Sequence, residues 1–306
     1  MELWQSSGPV NGEIDLGEQR VAVRCWGDAS KPLLIALHGW LDNANSFEPL
    51  ANCLQADYRI LAIDWPGHGL SPWRQGHYPL HWADYLYDLH RLLNVVGNER
   101  PVFLMGHSLG GVVASAYTAA YPERIAALVL IEALTPLFED IHHQQARLRK
   151  SFQQTLEKLQ QARHYTELEK AVDSRYRLTG LAPQWCRLIL QRNLAQDAVG
   201  SYWRTDPRLR TDSPQRLSLA QVEQLMRGIA VPSLLLTGTE GYASLSLTGS
   251  EKYTSLAELL HQAASWFRSL TKVQLTGNHH LHMGNAAEVA LIIKDFLAQS
   301  KCVSRG

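Results

Sequence analysis

Short runs of hydrophobic residues recur along this chain, and most are followed by turn residues and then by a segment with helical spacing. Leu33 to Leu37 is the first clear run, and the others cover residues 59–63, 102–105, 125–131, 233–236 and 272–275. Runs of this length are typical of strands that are buried on both faces. Because strands alternate with helices, the pattern predicts an α/β fold with a mostly parallel, doubly wound sheet.

Three segments between or after these runs are predicted as helices that lie on the sheet. They are Trp82 to Val96, which Gly97 ends, Leu109 to Ala120, and the closing segment Ala286 to Leu297. In the first of them apolar residues recur at intervals of three and four. We therefore predict helices at all three places.

The alternation of strands and helices stops after Ala133 and resumes near Ile229. The intervening residues contain no comparable buried run, and they are rich in Gln, Arg and Leu. An apolar face formed by Leu148, Phe152, Leu156 and Leu159 predicts at least one long helix there. We expect a core domain formed by residues 1–133 and 230–306, with residues 134–229 as an inserted helical cap.

Composition and charge narrow the classes of partner. Hydrophobic residues make up 45% of the chain and charged residues 19%, which is a globular composition. Lys plus Arg and Asp plus Glu number 29 each, so no net charge favours nucleic acid or an anionic membrane. A small neutral or mixed molecule is the expected partner. Neither the composition nor the charge indicates an oligomeric state.

Location is inferred from the cysteines and from the lack of long apolar segments. Cys25, Cys53, Cys186 and Cys302 form no CxxC pair, and we interpret them as free thiols in a reducing compartment. Neither a signal peptide nor an apolar run of about 18 residues is visible. The expectation is a cytoplasmic protein without a membrane span.

A candidate nucleophile lies between a predicted strand and a predicted helix. Residues 106–110 read Gly-His-Ser-Leu-Gly, the G-x-S-x-G pattern. Attack on a carbonyl needs a hydroxyl held on a tight turn beside a helix N-terminus, and the crowded backbone there requires glycines. We predict Ser108 as the nucleophile. The alternative is that Ser108 only sits in a glycine turn that packs a helix on the sheet.

The negative charge that develops on the attacked carbonyl oxygen requires backbone donors. One should come from the loop after the 33–37 strand, where His38, Gly39 and Trp40 lie. The N–H groups of Trp40 and Leu109 are the predicted oxyanion donors. For His38 itself we favour a structural role.

Four segments together resemble a known superfamily. They are His38-Gly39-Trp40-Leu41-Asp42-Asn43-Ala44, Asp64-Trp65-Pro66-Gly67-His68-Gly69-Leu70-Ser71, Gly106-His107-Ser108-Leu109-Gly110-Gly111 and Gly277-Asn278-His279. The chain resembles the α/β-hydrolase superfamily over most of its length outside the cap. The first and last segments are similar to the serine hydrolase-like proteins. The resemblance implies a structural role for the second segment, so Asp64 is assigned no part in catalysis.

The general base is expected on the last sheet loop, where His279, His280 and His282 are candidates. The superfamily's Gly-x-His turn matches His279, which leaves the other two as residues that pack or face solvent. Histidines at this spacing also ligate zinc, but no carboxylate or cysteine is interleaved with them to complete a set. We predict no metal and no cofactor.

The triad acid departs from the superfamily pattern. Its usual place, three residues after the Gly that ends the 233–236 strand, is Gly241. Glu240 and Glu132 could replace it, and we favour Glu132 because it ends a neighbouring strand and has one more methylene than Asp. Some superfamily members, haloalkane dehalogenases among them, take the acid from that strand. The alternative role for Glu132 is to cap the first helix of the insertion.

These residues predict hydrolysis of carboxylic esters through an acyl-enzyme. Trp40, His107, Phe138 and Trp203 are candidates for a substrate pocket under the cap, with Trp185 and Tyr202 as further cap aromatics. The cap aromatics could equally form the cap's own core. Two alternatives stay open: hydrolysis of carbon–carbon bonds with the same triad, and a ligand-binding protein that retains the fold without the chemistry.

Overall fold

The computed structural model describes residues 8–97, 100–160, 163–227, 229–241 and 255–303. The strands in these ranges are β1 (Val10–Asp15), β2 (Arg20–Trp26), β3 (Leu33–Leu37), β4 (Arg59–Ile63), β5 (Val102–His107), β6 (Ile125–Ile131), β7 (Leu194–Gln196), β8 (Ser201–Trp203), β9 (Ser233–Glu240) and β10 (Leu270–Asn278). The α-helices are α1 (Glu48–Leu54), α2 (Trp82–Val96), α3 (Leu109–Ala120), α4 (Gln144–Leu159), α5 (Leu168–Thr179), α6 (Pro183–Asn193), α7 (Leu219–Met226), α8 (Leu256–Ala264), α9 (Leu281–Gly284) and α10 (Ala286–Val303).

One eight-stranded sheet organises the molecule, with the strand order β1-β2-β4-β3-β5-β6-β9-β10. β2 pairs antiparallel with β1 and with β4, whereas every other neighbouring pair is parallel. The predicted doubly wound, mostly parallel sheet is therefore confirmed. The β1–β2 hairpin was not predicted, because β1 lies at the sheet edge and has no continuous hydrophobic run.

Most predicted elements have the observed bounds. β3, β4, β6, α2 and α3 agree with prediction, and Gly97 ends α2 as expected. Four elements are longer: β5 continues to His107, β9 continues to Glu240, β10 covers Leu270–Asn278, and α10 continues to Val303. The extra strand residues are mostly polar or Gly, and backbone pairing between β9 and β10 continues without a hydrophobic run.

The central strands separate two hydrophobic cores by side-chain alternation. Ile35 and Leu104 face a cluster that includes residues of α2 and α3. Leu34 and Phe103 face the opposite cluster, which includes residues of α1 and α10. Helices thus cover both faces, and the carboxyl ends of the parallel strands form the open edge at which a site can be built.

Residues 134–229 lie between β6 and β9, and we call them the cap segment. In its described part they form α4 to α7 and the small β7–β8 hairpin. The predicted long helix is present as α4, but its apolar face points outward: Leu148, Phe152 and Leu156 are exposed, while Ser151 and Thr155 are buried. The spacing of apolar residues predicted the helix correctly. The face that is buried, however, carries the small polar side chains of Ser151 and Thr155.

Two further features concern the helices and the cysteines. Of the helices in the described ranges, none has both the length and the apolar character needed to cross a membrane. Cys25, Cys53 and Cys186 are free thiols, and burial raises the pKa of Cys25 to about 12. The predicted thiol of Cys302 lies outside the described side chains.

Candidate active site

Ser108 occupies the sharp turn between β5 and α3. Its φ of 50° and ψ of −116° put a non-glycine residue in a strained backbone region. The turn is held on one side by a hydrogen bond from Ser108 N–H to Ile131 O, at 2.9 Å. Such a turn lifts the side chain away from the sheet edge and places it beside the helix N-terminus.

Neighbouring glycines make this turn possible because there is no space for side chains. A Cβ at Gly106 would stand 2.5 Å from Gly111 N, and one at Gly110 would stand 2.8 Å from Leu37 Cβ. Real Cβ atoms do not approach other atoms so closely. The glycines of the G-x-S-x-G pattern are therefore required by packing around Ser108.

Glu132 is the carboxylate that meets the predicted base. It directly follows β6, has a φ of 57°, and its side chain is completely buried. Oε2 lies 3.0 Å from Nδ1 of His279, and Oε1 accepts a hydrogen bond from Gly238 N–H. A carboxylate at Nδ1 fixes the tautomer that leaves His279 Nε2 as the proton acceptor.

The alternative acid, Glu240, is placed differently. It ends β9 opposite Asn278 and is exposed. A buried carboxylate is what stabilises an imidazolium, because solvent screens an exposed one. The geometry thus favours Glu132 over Glu240 as the partner of His279.

His107 links the nucleophile turn to the base. Its Nε2 lies 2.8 Å from the carbonyl oxygen of His279, and the two rings are 4.9 Å apart between centroids. Burial lowers the pKa of His107 to about 4, so the ring is neutral at pH 7 and donates Nε2–H to that carbonyl. Within the described residues the Ser108 hydroxyl forms no hydrogen bond, as is common for catalytic groups in the absence of substrate.

The loop after β3 lies against the nucleophile turn. A Cβ at Gly39 would stand 3.2 Å from Ser108 Cβ and 2.8 Å from His107 Nδ1. In the described part of the chain the N–H groups of Trp40 and Leu109 donate to no other group, and Leu109 begins α3. Both predicted oxyanion donors are thus available beside the nucleophile turn.

Backbone strain is concentrated at this site. The described residues other than glycine with positive φ are Leu41, Ser108 and Glu132. They belong to the predicted oxyanion loop, nucleophile turn and acid, respectively. Strain of this kind costs about 1–3 kcal/mol per residue and persists where the surrounding structure imposes it.

A buried polar network surrounds Asp42, two residues after Trp40. Its Oδ1 pairs with Arg175 of α5, and its Oδ2 lies 3.5 Å from ring nitrogens of His107 and His280. Burial alone would raise the pKa of Asp42, but Arg175 and His280 hold it well below its ordinary value. Sequence reasoning missed this residue, because its partners come from three distant segments.

The neighbouring histidines are buried. Burial lowers the pKa of His282 well below its ordinary value and that of His38 to about 4. His38 Nε2 accepts a hydrogen bond from Trp65 N–H at 3.0 Å, which agrees with the structural role favoured for it. Among the described residues no cluster of His, Cys, Asp and Glu has a geometry suited to a metal ion.

Asp64 has structural contacts that agree with the role implied by the resemblance. It accepts hydrogen bonds from the N–H groups of Ala44 and Leu70, and it pairs with Arg192 of α6 at 2.7 Å. This pair is buried and joins the cap segment to the end of β4.

The predicted pocket aromatics occupy different places. The Trp40 indole is about half exposed, and its Nε1 donates to Leu209 O at 2.7 Å. Phe138 packs against the core cluster that includes α2 and α3, and Trp185 packs against the apolar cluster of the cap segment. Trp203 and Tyr202 line a cavity whose walls include neither Ser108 nor His279.

Comparisons with known proteins agree with this geometry. The sequence model of the family described as "alpha/beta hydrolase fold" matches residues 32–286. The chain is 29% identical over 286 residues to serine hydrolase-like protein 2 of Homo sapiens, with 90% of each chain covered. A stretch of 108 residues is 38% identical to pimeloyl-[acyl-carrier protein] methyl ester esterase of Aeromonas salmonicida, which covers 35% of this chain and 39% of that protein.

A solved structure with a similar fold is the crystal structure of a hypothetical protein of Pseudomonas aeruginosa PAO1. The TM-score is 0.84 at 31% sequence identity, and the match covers 94% of this chain and 98% of that one. The resemblance inferred from the four sequence segments is therefore confirmed at the level of the family.

Proposed function

This chain belongs to the α/β-hydrolase fold family, and from that premise we propose that it hydrolyses carboxylic esters through Ser108, His279 and Glu132. The observation that supports the proposal most strongly is the 3.0 Å contact of the buried Glu132 carboxylate with His279 Nδ1. The strained turn at Ser108 adds to it. A carboxylate, an imidazole and a serine hydroxyl are the three groups that acyl transfer to serine requires.

In the first half-reaction Ser108 Oγ attacks the ester carbonyl while His279 Nε2 takes the hydroxyl proton. Glu132 stabilises the imidazolium that forms, and the oxyanion accepts hydrogen bonds from the N–H groups of Trp40 and Leu109. The intermediate then collapses, and the alcohol leaves with the proton from His279. The product of this half is an acyl ester of Ser108.

In the second half-reaction water replaces the alcohol. His279 removes a proton from the water as its oxygen attacks the acyl carbon, and Ser108 leaves with that proton. The carboxylic acid is released and the enzyme is restored. The chemistry needs no redox change and no external group beyond water.

Ester hydrolysis is also supported by the relatives. One of them is named as a methyl ester esterase.

Both proposed oxyanion donors are backbone N–H groups, which a side-chain substitution does not remove. The experiment that tests the proposal must therefore change the side chains of the triad.

Labelling of the purified protein with a fluorophosphonate probe tests the proposal. We expect labelling of the wild type and none in Ser108→Ala. Labelling should be unchanged in Ser30→Ala, which removes an exposed serine hydroxyl that is distant from Ser108 in the sequence. A panel of short to long acyl esters then measures turnover. Absence of labelling in the wild type would favour a ligand-binding protein, and labelling without turnover of any ester would favour another reaction of the same three side chains.

A further inference from the structure

A cavity outside the candidate active site lies between the core and the cap segment. Its volume is about 650 Å³, which falls in the range of small-molecule sites. One wall is the loop that follows β4, from Gly69 to Trp73, and the opposite wall includes residues around the β7–β8 hairpin and the short 3-10 helix Pro207–Arg210. Ser108, Glu132 and His279 are not part of its lining.

Cationic side chains are concentrated in this cavity although the whole chain has no net charge. The cations in the lining are Arg20, Lys158, Arg163, Arg204 and Arg210. The acids there are Glu13 and Asp206, and the second is buried against the guanidinium of Arg208, at 2.7 Å. The local excess of positive charge is therefore a property of this cavity.

Two of the cations have no acidic partner. Arg204 and Arg210 are exposed, and within the described ranges no carboxylate lies within 4.0 Å of either guanidinium. Arg163 differs, since it pairs with Asp197 at 2.9 Å. Unpaired guanidinium groups in a concave site are suited to a phosphate or carboxylate, whose oxygens accept two parallel hydrogen bonds.

Aromatic rings accompany these cations. Arg163 lies over the Tyr202 ring at 4.2 Å and Arg210 over the Trp203 ring at 5.7 Å. Stacking on a ring orients a guanidinium and leaves its N–H edge free for an anion.

Trp73 supplies an aromatic face of its own. Its indole is about half exposed in the cavity, and its Nε1 donates to Arg204 O at 2.5 Å, which fixes the ring beside the unpaired arginine. A fixed indole that lines the same cavity as an unpaired guanidinium can stack a planar ring while the cation binds an attached anion.

We propose that this cavity binds a small organic phosphate with an aromatic ring, of the mononucleotide class. The phosphate is bound by Arg204 and Arg210, and the base stacks on Trp73. The site is independent of ester hydrolysis, because none of these residues takes part in the proposed reaction. It agrees with the sequence-based exclusion of nucleic acid, since one local cavity recognises a single nucleotide rather than a polyanion.

Isothermal titration calorimetry with AMP, adenosine and inorganic phosphate tests the proposal. We expect AMP to bind at least about tenfold more tightly than either of its parts, with affinity that falls at high salt. Absence of AMP binding overturns the proposal. Equal affinity for AMP and phosphate overturns the stacking role of Trp73, and equal affinity for AMP and adenosine overturns the anion site.

Variants locate the binding. Arg204→Glu with Arg210→Glu should lower the affinity for AMP at least about tenfold, whereas Trp73→Ala should lower it without changing the affinity for phosphate. The matched control, Arg149→Glu with Arg177→Glu, makes the same charge change at exposed cap positions outside the cavity. Equal losses in the two double variants would overturn the proposal, because a general charge effect would then explain them. Fluorophosphonate labelling of Ser108 in each variant separates this result from that of the proposed hydrolysis.

Discussion

The carboxylate of Glu132 occupies the space in which a side chain at Gly241 would stand. A Cβ built on Gly241 would lie 2.5 Å from Cδ of Glu132 and closer still to both carboxylate oxygens. Gly241 is the position from which the superfamily usually supplies the acid. The Glu132 carboxylate therefore reaches the usual position of the acid from the neighbouring strand. Gly241 leaves room for it because glycine has no side chain.

Gly241→Ala should lower kcat by at least about 100-fold, because the new methyl group must displace the carboxylate that orients His279. Steady-state kinetics on an ester substrate measures the effect. Gly284→Ala is the matched control, since a Cβ there would meet no atom within 4 Å and the activity should be unchanged. Full activity in Gly241→Ala would contradict the assigned position of Glu132.

Glu132→Gln should lower kcat by about 10⁴-fold, since an amide cannot stabilise the imidazolium of His279. Glu240→Gln should leave kcat unchanged, because Glu240 is exposed and lies at the end of β9. Each variant replaces one carboxylate oxygen by an amide NH2 group, so the two changes are chemically the same. The reverse pattern of activities would transfer the role of triad acid to Glu240.

Ser108→Gly should be more stable than Ser108→Ala by about 1 kcal/mol, because glycine adopts a φ of 50° and a ψ of −116° without strain. Both variants lack the hydroxyl, so the difference between them reports the cost of the backbone conformation at residue 108. Urea unfolding gives the difference in the free energy of unfolding. Equal stabilities would mean that the turn at Ser108 stores no strain.

Asp42→Asn should lower the free energy of unfolding by about 3 kcal/mol, because it leaves the Arg175 guanidinium without its buried partner. Arg175→Met in the same chain should recover part of the loss, which a double-mutant cycle measures. Glu169→Gln breaks the exposed pair with Arg187 in the same cap segment and should cost less than about 1 kcal/mol. Losses of similar size in the two single variants would argue against a buried Asp42–Arg175 pair.

Stability should fall as pH drops from about 6.5 towards 4. Burial lowers the pKa of His38 and of His107 to about 4, that of His68 to about 3, and that of His282 well below its ordinary value. The unfolded chain therefore binds more protons than the folded one in this range, and stability rises with pH there. At pH 5.5 unfolding should take up about three to four protons.

Urea midpoints between pH 7 and pH 5 measure this dependence. Replacement of the exposed His142 and His143 by Gln is the control and should leave the slope unchanged. A free energy of unfolding that is constant from pH 7 to pH 5 would show that the buried histidines take up no protons on unfolding.

Much of the fold follows from local patterns. The hydrophobic runs predicted β3, β4 and β6, and three-four spacing predicted α2, because periodicity reports the faces that an element buries. The same reasoning missed the β1–β2 hairpin, and it predicted α4 as a helix without identifying its buried face. β1 and α4 bury few apolar side chains, so their patterns do not distinguish the inside from the outside.

The sequence by itself determined the central strands and the nucleophile turn, because hydrophobic periodicity and the spacing of glycines are local properties that obey steric rules. It left two carboxylates, Glu132 and Glu240, as candidates for the triad acid. Tertiary structure alone decided which carboxylate meets His279, what surrounds Asp42, and where unpaired arginines gather beside Trp73. Most of those contacts join segments more than a hundred residues apart, and only the packing of the whole chain sets the distances between them.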